Sequence, residues 1–202
     1  MEKLKFKTLV KHQDISDFLD KIEHHSGVRL PIEYVKRSKV VGAFLHDQLV
    51  ATYMLVTSPG YRSMLFVPDA VKDKNGFFSQ DSFDMLEVNG LWISPALKTP
   101  YLQMCVWAKL IKDIFLCKRK YVLLMRSKRN RSMEKFLGMA NPELLYEGEP
   151  LPMAGEKTHE VIQVSRTTRW SIVANTPKYA LEFYRRMKRA EQYSRQHLPE
   201  NA

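Results

Sequence analysis

The stretch Asp84-Met85-Leu86-Glu87-Val88-Asn89-Gly90-Leu91-Trp92-Ile93-Ser94-Pro95, running into the amphipathic segment Tyr101 to Leu116, constrains the fold more than any other part of the chain. A strand that ends at a proline frees its last backbone groups, because proline carries no N–H for a ladder. A helix that starts just beyond it aims unpaired N–H groups and a positive dipole end at the same place. Together they make a site suited to an anion such as a phosphate. The apolar run Tyr121 to Met125 that follows has the length of a buried strand beside a helix, so the block predicts strand, helix and parallel strand.

The flanking segments extend this pattern. Asp14 is predicted to cap a helix carrying Ile15, Phe18, Leu19 and Ile22, ended by Gly27 and Pro31. Val40 to Leu45 and Leu49 to Val56 read as a hairpin across His46-Asp47-Gln48. Residues 58–83, with Pro59-Gly60, Pro68-Asp69 and Asn75-Gly76, read as a long polar insertion with a short strand at Met64 to Val67, the kind of loop that binds ligands or moves. A short helix over Ser132 to Leu137, ended by Gly138, and strands at Leu144 to Tyr146 and Glu160 to Ser165 follow. Thr176-Pro177 then starts a long helix with Tyr179, Phe183 and Met187 on one side. The predicted class is α+β, a mixed twisted sheet with helices on both faces. Residues 1–175 form its one domain, and 176–202 are a basic amphipathic helix packed on it.

Composition narrows the function. A chain of 202 residues, 45% hydrophobic, can bury one sizeable core. Its apolar runs are too short to span a bilayer, and Met-Glu-Lys-Leu-Lys-Phe-Lys is not a signal peptide. Cys105 and Cys117 lie far apart on one predicted helix and cannot bridge, which fits a reducing cytoplasm. His24-His25 have no third ligand nearby, so no metal is expected. The net charge of +10 is concentrated at Lys118 to Lys120, Arg126 to Arg131 and Arg185 to Arg189. Each cluster alone reads equally as a solvated face. Together they predict an anionic partner: nucleic acid, an acidic carrier protein or a phosphorylated cofactor.

The order strand, Ser-Pro, helix, strand, short helix over 85–139 resembles the GNAT superfamily of acyltransferases. Ile93-Ser94-Pro95 is similar to that family's Val-x-Pro at the end of its fourth strand, and Phe136-Leu137-Gly138-Met139 to its Leu-Gly-Phe ending. The resemblance implies a splayed central strand pair holding the pantetheine arm of an acyl thioester. The backbone of Leu91, Trp92 and Ile93 would bind that arm, with Tyr121 to Met125 opposite. The family's glycine-rich pyrophosphate loop aligns with Lys98-Thr99-Pro100-Tyr101-Leu102-Gln103, which contains no glycine. Lys98, Thr99, Tyr101 and Gln103 are the cofactor-binding candidates there. Pro100 removes a donor and Tyr101 adds bulk, so ordinary coenzyme A binding is expected to be weak. Leu86 to Trp92 is also similar to the Glu-x-x-Arg-Leu segment of acyl-homoserine-lactone and N-acyl amino acid synthases, which take their acyl group from acyl carrier protein. It resembles equally the Glu-Leu-Asn-Arg-Leu-Trp run of Mom-type phage DNA-modification proteins. Both groups have arginine where this chain has Gly90.

The resemblance implies an acyltransferase that moves an acyl group from acyl-CoA or acyl carrier protein to an amine. The alternatives are Mom-like modification of a nucleic-acid base, or a non-catalytic module that binds through its basic face. Acyl transfer needs a base for the ammonium proton and an acid for the leaving thiolate. Glu87 is the candidate base, weighed against a charge on a solvent-facing edge. Tyr146 and Ser127 are the candidate acids, each weighed against a core or loop role, because the family's tyrosine position holds Glu134. Arg126, Lys128, Arg129 and Arg131 are the candidate anion-binding rim.

Overall fold

The structure is a computed structural model that describes residues 2–79, 82–128, 131–150 and 161–196. Its centre is a seven-stranded sheet in the order β1-β2-β3-β4-β5-β7-β6. The strands are β1 (Lys5–Thr8), β2 (Lys39–Leu45), β3 (Gln48–Val56), β4 (Met85–Ile93), β5 (Tyr121–Ser127), β6 (Glu143–Gly148) and β7 (Ile162–Thr168). Only β4 and β5 run parallel; every other neighbouring pair is antiparallel. The β2–β3 hairpin turns on His46 and Asp47, both in the left-handed region at φ 49° and 60°, which matches the strands' twist.

Period-two alternation sends each strand's side chains to two cores, as strands buried on both faces require. Met54, Val56, Met85 and Leu123 join one core with Phe18, Leu19 and Ile22 of α1 (His12–Ser26) and Tyr34 and Val35 of α2 (Ile32–Lys36). Tyr53, Leu55, Leu86, Val122 and Leu124 join the other. There they meet α5 (Pro100–Leu116), α6 (Arg131–Gly138), α7 (Arg169–Ala174) and α8 (Thr176–Gln196). Helices cover both faces, as the sequence pattern predicts.

Several boundaries differ from expectation. Lys11, not Asp14, is the N-cap of α1; it makes no side-chain cap bond, and Asp14 sits in the first turn. Gly27 ends the helix at φ 73°, its N–H donating to the Glu23 carbonyl. The segment expected as a polar insertion is a packed cover. It holds α3 (Arg62–Leu65), where a strand is predicted at Met64 to Val67, and α4 (Asp69–Lys72). Tyr61, Phe66, Val67 and Phe77 are buried beneath it. Apolar burial of about 1.5–3 kcal/mol for each such side chain anchors the segment to the first core. Residues 80 and 81 of that insertion, and Glu160 of the last predicted strand, lie outside the described residues.

On the second face α8 lies across α5 and α6. Trp107 stacks on Phe136 with centroids 4.6 Å apart, and Tyr179 and Phe183 pack against Phe136. Asp113 of α5 is also buried and accepts hydrogen bonds from Lys109 at 2.6 Å, the Tyr53 hydroxyl at 2.8 Å and Lys39 at 3.1 Å. Burial opposes its charge, but these donors outweigh it and hold the carboxyl below its ordinary value. No helix among the described residues is long and apolar enough to cross a membrane.

Candidate active site

The two central strands part company within their length. β4 pairs with β5 from Met85↔Tyr121 to Val88↔Leu124 and no further. Beyond that point Trp92 and Ile93 stay with Thr52 and Ala51 of β3, while Met125, Arg126 and Ser127 go with Val164, Gln163 and Ile162 of β7. Asn89 to Ile93 therefore present a backbone edge toward β5 without a ladder partner. This is the parting of the central strand pair that the GNAT resemblance implies.

A bulge in β4 aims that edge. Thr52 lies opposite Trp92 and Met54 opposite Asn89, so Gly90 and Leu91 together face the single residue Tyr53. The extra residue reverses the strand's alternation: Met85 faces the first core before it, and Trp92 faces that same core after it. Gly90 sits at φ 56°, its carbonyl accepting from the Thr52 hydroxyl at 3.0 Å and its N–H donating to Asn89 Oδ1 at 2.7 Å. A Cβ at this position would come within 2.8 Å of the Phe18 ring. The arginine found here in the two narrower resemblances has no room.

Glu87 is fully buried, which removes the solvent-facing alternative. Its Oε2 accepts from the Tyr34 hydroxyl at 2.8 Å and the Arg62 N–H at 2.8 Å, and its Oε1 from the Ser63 N–H at 2.9 Å. Tyr34 in turn accepts from Asn89 Nδ2 at 3.2 Å. Burial pushes the Glu87 carboxyl up from its ordinary value, against the pull of the bonds from Tyr34, Ser63 and Arg62. Burial and the neighbouring Glu87 charge also raise the Tyr34 phenol, so it remains a neutral donor. Tyr34 and Asn89 belong to the Glu87 network and are absent from the sequence reading. Asn89 lies two positions along the same strand face as Glu87, a period-two signal. Tyr34 reaches the site from 53 residues away, a distance no local pattern spans.

The other candidates make no hydrogen bond to Glu87 among those seen at its carboxylate. The Tyr146 hydroxyl, on edge strand β6, donates to the Glu149 carbonyl at 2.6 Å, and Ser127 ends β5. The rim is partly neutralised. Arg126 pairs with Glu134 at 3.0 Å and Lys128 with Glu147 at 2.5 Å. One Arg126 guanidinium nitrogen, Nη1, is buried without a hydrogen-bond partner. Arg129 and the side chain of Arg131 lie outside the described residues.

The segment before α5 satisfies itself. The Leu97 N–H donates to the Ser94 carbonyl at 2.9 Å, the Lys98 N–H to the Ala96 carbonyl at 2.9 Å, and the Gln103 side-chain amide to the Leu97 carbonyl at 2.7 Å. Lys98 and Thr99 are exposed, and Tyr101 is partly buried against the small core that includes Val50, Ala51 and Leu97. A loop that spends its own N–H groups, with Pro100 at the first helical turn, is a poor cradle for a pyrophosphate. Among the described residues no group of three or more His, Cys, Asp or Glu is placed to hold a metal.

No protein-family model matches the sequence, and no curated protein matches it. Solved structures do match in shape. FeeM, an N-acyl amino acid synthase from uncultured soil microbes, superposes with a TM-score of 0.62 at 8% identity over 87% of this chain and 96% of that one. A probable acetyltransferase from Staphylococcus epidermidis gives 0.57 at 11% identity over 82% and 99%. A Bacillus subtilis acetyltransferase in complex with CoA gives 0.50 at 11% identity over 82% and 99%. With its mixed sheet, its parallel β4–β5 pair that parts after Val88 and Leu124, and these neighbours, the chain has the fold of the GNAT superfamily.

Proposed function

We propose that the protein transfers an acyl group from a pantetheine thioester to an amine. The observation that carries this is the unpaired β4 edge from Asn89 to Ile93, opened beside a buried carboxylate network. An extended amide-bearing arm can add to that edge as a strand would, its amides meeting the free backbone groups of Leu91, Trp92 and Ile93. This fixes the thioester carbonyl at the point of divergence and supplies catalysis by orientation. Glu87 is the base. Being enclosed, it draws the ammonium proton through the Tyr34 hydroxyl, which hands its own proton to Oε2 as it accepts the new one. The raised carboxyl suits that task.

The self-bonded segment before α5 supports a carrier-borne phosphopantetheine over coenzyme A, since a carrier donor presents one phosphodiester and no nucleotide pyrophosphate. The similarity in shape to an N-acyl amino acid synthase supports an amino acid as the amine. The net charge of +10 favours one second reading, in which the amine belongs to a nucleobase and the basic surface holds the nucleic acid. The test is thiol release. The protein is incubated with acetyl-CoA or an acylated carrier protein, and with free amino acids or duplex DNA. Amine-dependent thiol release above the buffer rate supports acyl transfer, and its absence in every combination contradicts it.

A further inference from the structure

The first turn of α5 borders an open surface hollow of about 430 Å3 lined by Pro100, Lys135, Glu182, Arg186 and Arg189. Three helices meet there, and one of them, α8, follows the last strand of the sheet. Buried Glu182 pairs with Lys135 at 2.7 Å, Arg186 at 3.0 Å and Arg189 at 3.8 Å. Burial works against its charge, but the bonds from Lys135 and Arg186 prevail and keep the carboxyl ionised. One carboxylate cannot balance three cations, so the hollow keeps a surplus of positive charge. The Arg186 guanidinium also lies 4.5 Å from the Phe136 ring centroid, which fixes its plane. A planar fork held in place loses little entropy when it takes a second anion. Thr99 makes no side-chain cap bond at the start of α5, so the dipole of that helix adds to the same field.

We propose that Lys135, Arg186 and Arg189 bind the phosphate ester of the acyl donor, so that the C-terminal helix supplies what the segment 94–99 withholds. The inference rests on the acyl-transfer reading. A phosphate ester is common to coenzyme A and to carrier-bound phosphopantetheine. Glu182 orients the cations and leaves their outer N–H groups for the phosphate oxygens.

The test compares wild type with a K135Q/R189Q variant by calorimetric titration. Both side chains are more than half exposed, at 54% and 66%, so the fold is expected to persist; R189Q alone repeats the test if the pair melts early. The probes are S-acetyl-4′-phosphopantetheine and S-acetylpantetheine, which lacks the phosphate. Wild type should bind the phosphorylated probe at least about 10-fold tighter, and the variant should lose that preference while binding the other probe unchanged. Parallel titrations with acetyl-CoA and an acylated carrier protein identify the source of the phosphate by which of them loses more affinity. A preference that survives in the variant overturns the proposal, and so does a loss on duplex DNA without one on the thioester. Equal wild-type binding of both probes ends this proposal alone. Binding of neither ends the acyl-transfer reading with it.

Discussion

Glu87 is placed where a side-chain change separates chemistry from packing. Glu87→Gln turns an NH2 group toward an N–H of Arg62 or Ser63, and it should cost about 1–3 kcal/mol of stability by urea unfolding. It should also lower kcat by about 100-fold or more, measured well below the variant's Tm. Tyr34→Phe should reproduce the loss of rate while leaving both backbone N–H bonds to the carboxylate. Since burial raises the Glu87 carboxyl, the acid limb of kcat/KM should lie above the ordinary value near 4.5, and it should vanish in Glu87→Gln. A limb unchanged in that variant would assign the titration to another group. Gly90→Ala should cost about 2 kcal/mol or more, because φ 56° disfavours a Cβ and the Phe18 ring occupies its space.

At the scale of elements, β4, α5, β5 and α8 were legible because period, proline position and turn residues agree there. The parting of β4 from β5 was expected only through the GNAT resemblance, which implies a splayed central pair. β1, α2 and α7 were not legible: each is short, and Lys-Phe-Lys-Thr carries a single apolar residue, so only pairing with β2 makes it a strand. The segment 58–83 misread because its prolines and glycines mark turns locally. Tyr61, Phe66 and Phe77 still anchor those turns by long-range burial, which spacing does not reveal. Glu87 was named from the sequence as a candidate, but its burial was not legible there, since its donors come from α2 and α3. Two element-level tests follow. Removing 176–202 uncovers the Trp107–Phe136 stack, and the shortened chain should melt earlier and bind a hydrophobic dye. The Asp113 cluster ties α5 to β2 and β3. Its folded carboxyl titrates below the unfolded one, so its contribution is complete above the ordinary value near 3.8 and is lost as pH falls through the lower folded value. Asp113→Asn should therefore be less stable than wild type near neutrality, with the gap closing in acid.

For the whole molecule, the charge of +10 divides into parts with different work. Lys39 and Lys109 neutralise Asp113, while Arg126 and Lys128 are held by Glu134 and Glu147. The surplus at Lys135, Arg186 and Arg189 stands at the start of α5, just past the end of the strand whose edge is open. In the proposed reading, the open β4 edge, Glu87 and this basic cluster serve one extended phosphorylated thioester. Hydrogen exchange with and without S-acetyl-4′-phosphopantetheine tests that reading most directly. Slowed exchange at the amides of Asn89 to Ile93 and at Tyr101 and Leu102, with the rest of the sheet unchanged, is the predicted result. Exchange at β4 that does not respond to saturating thioester would contradict it.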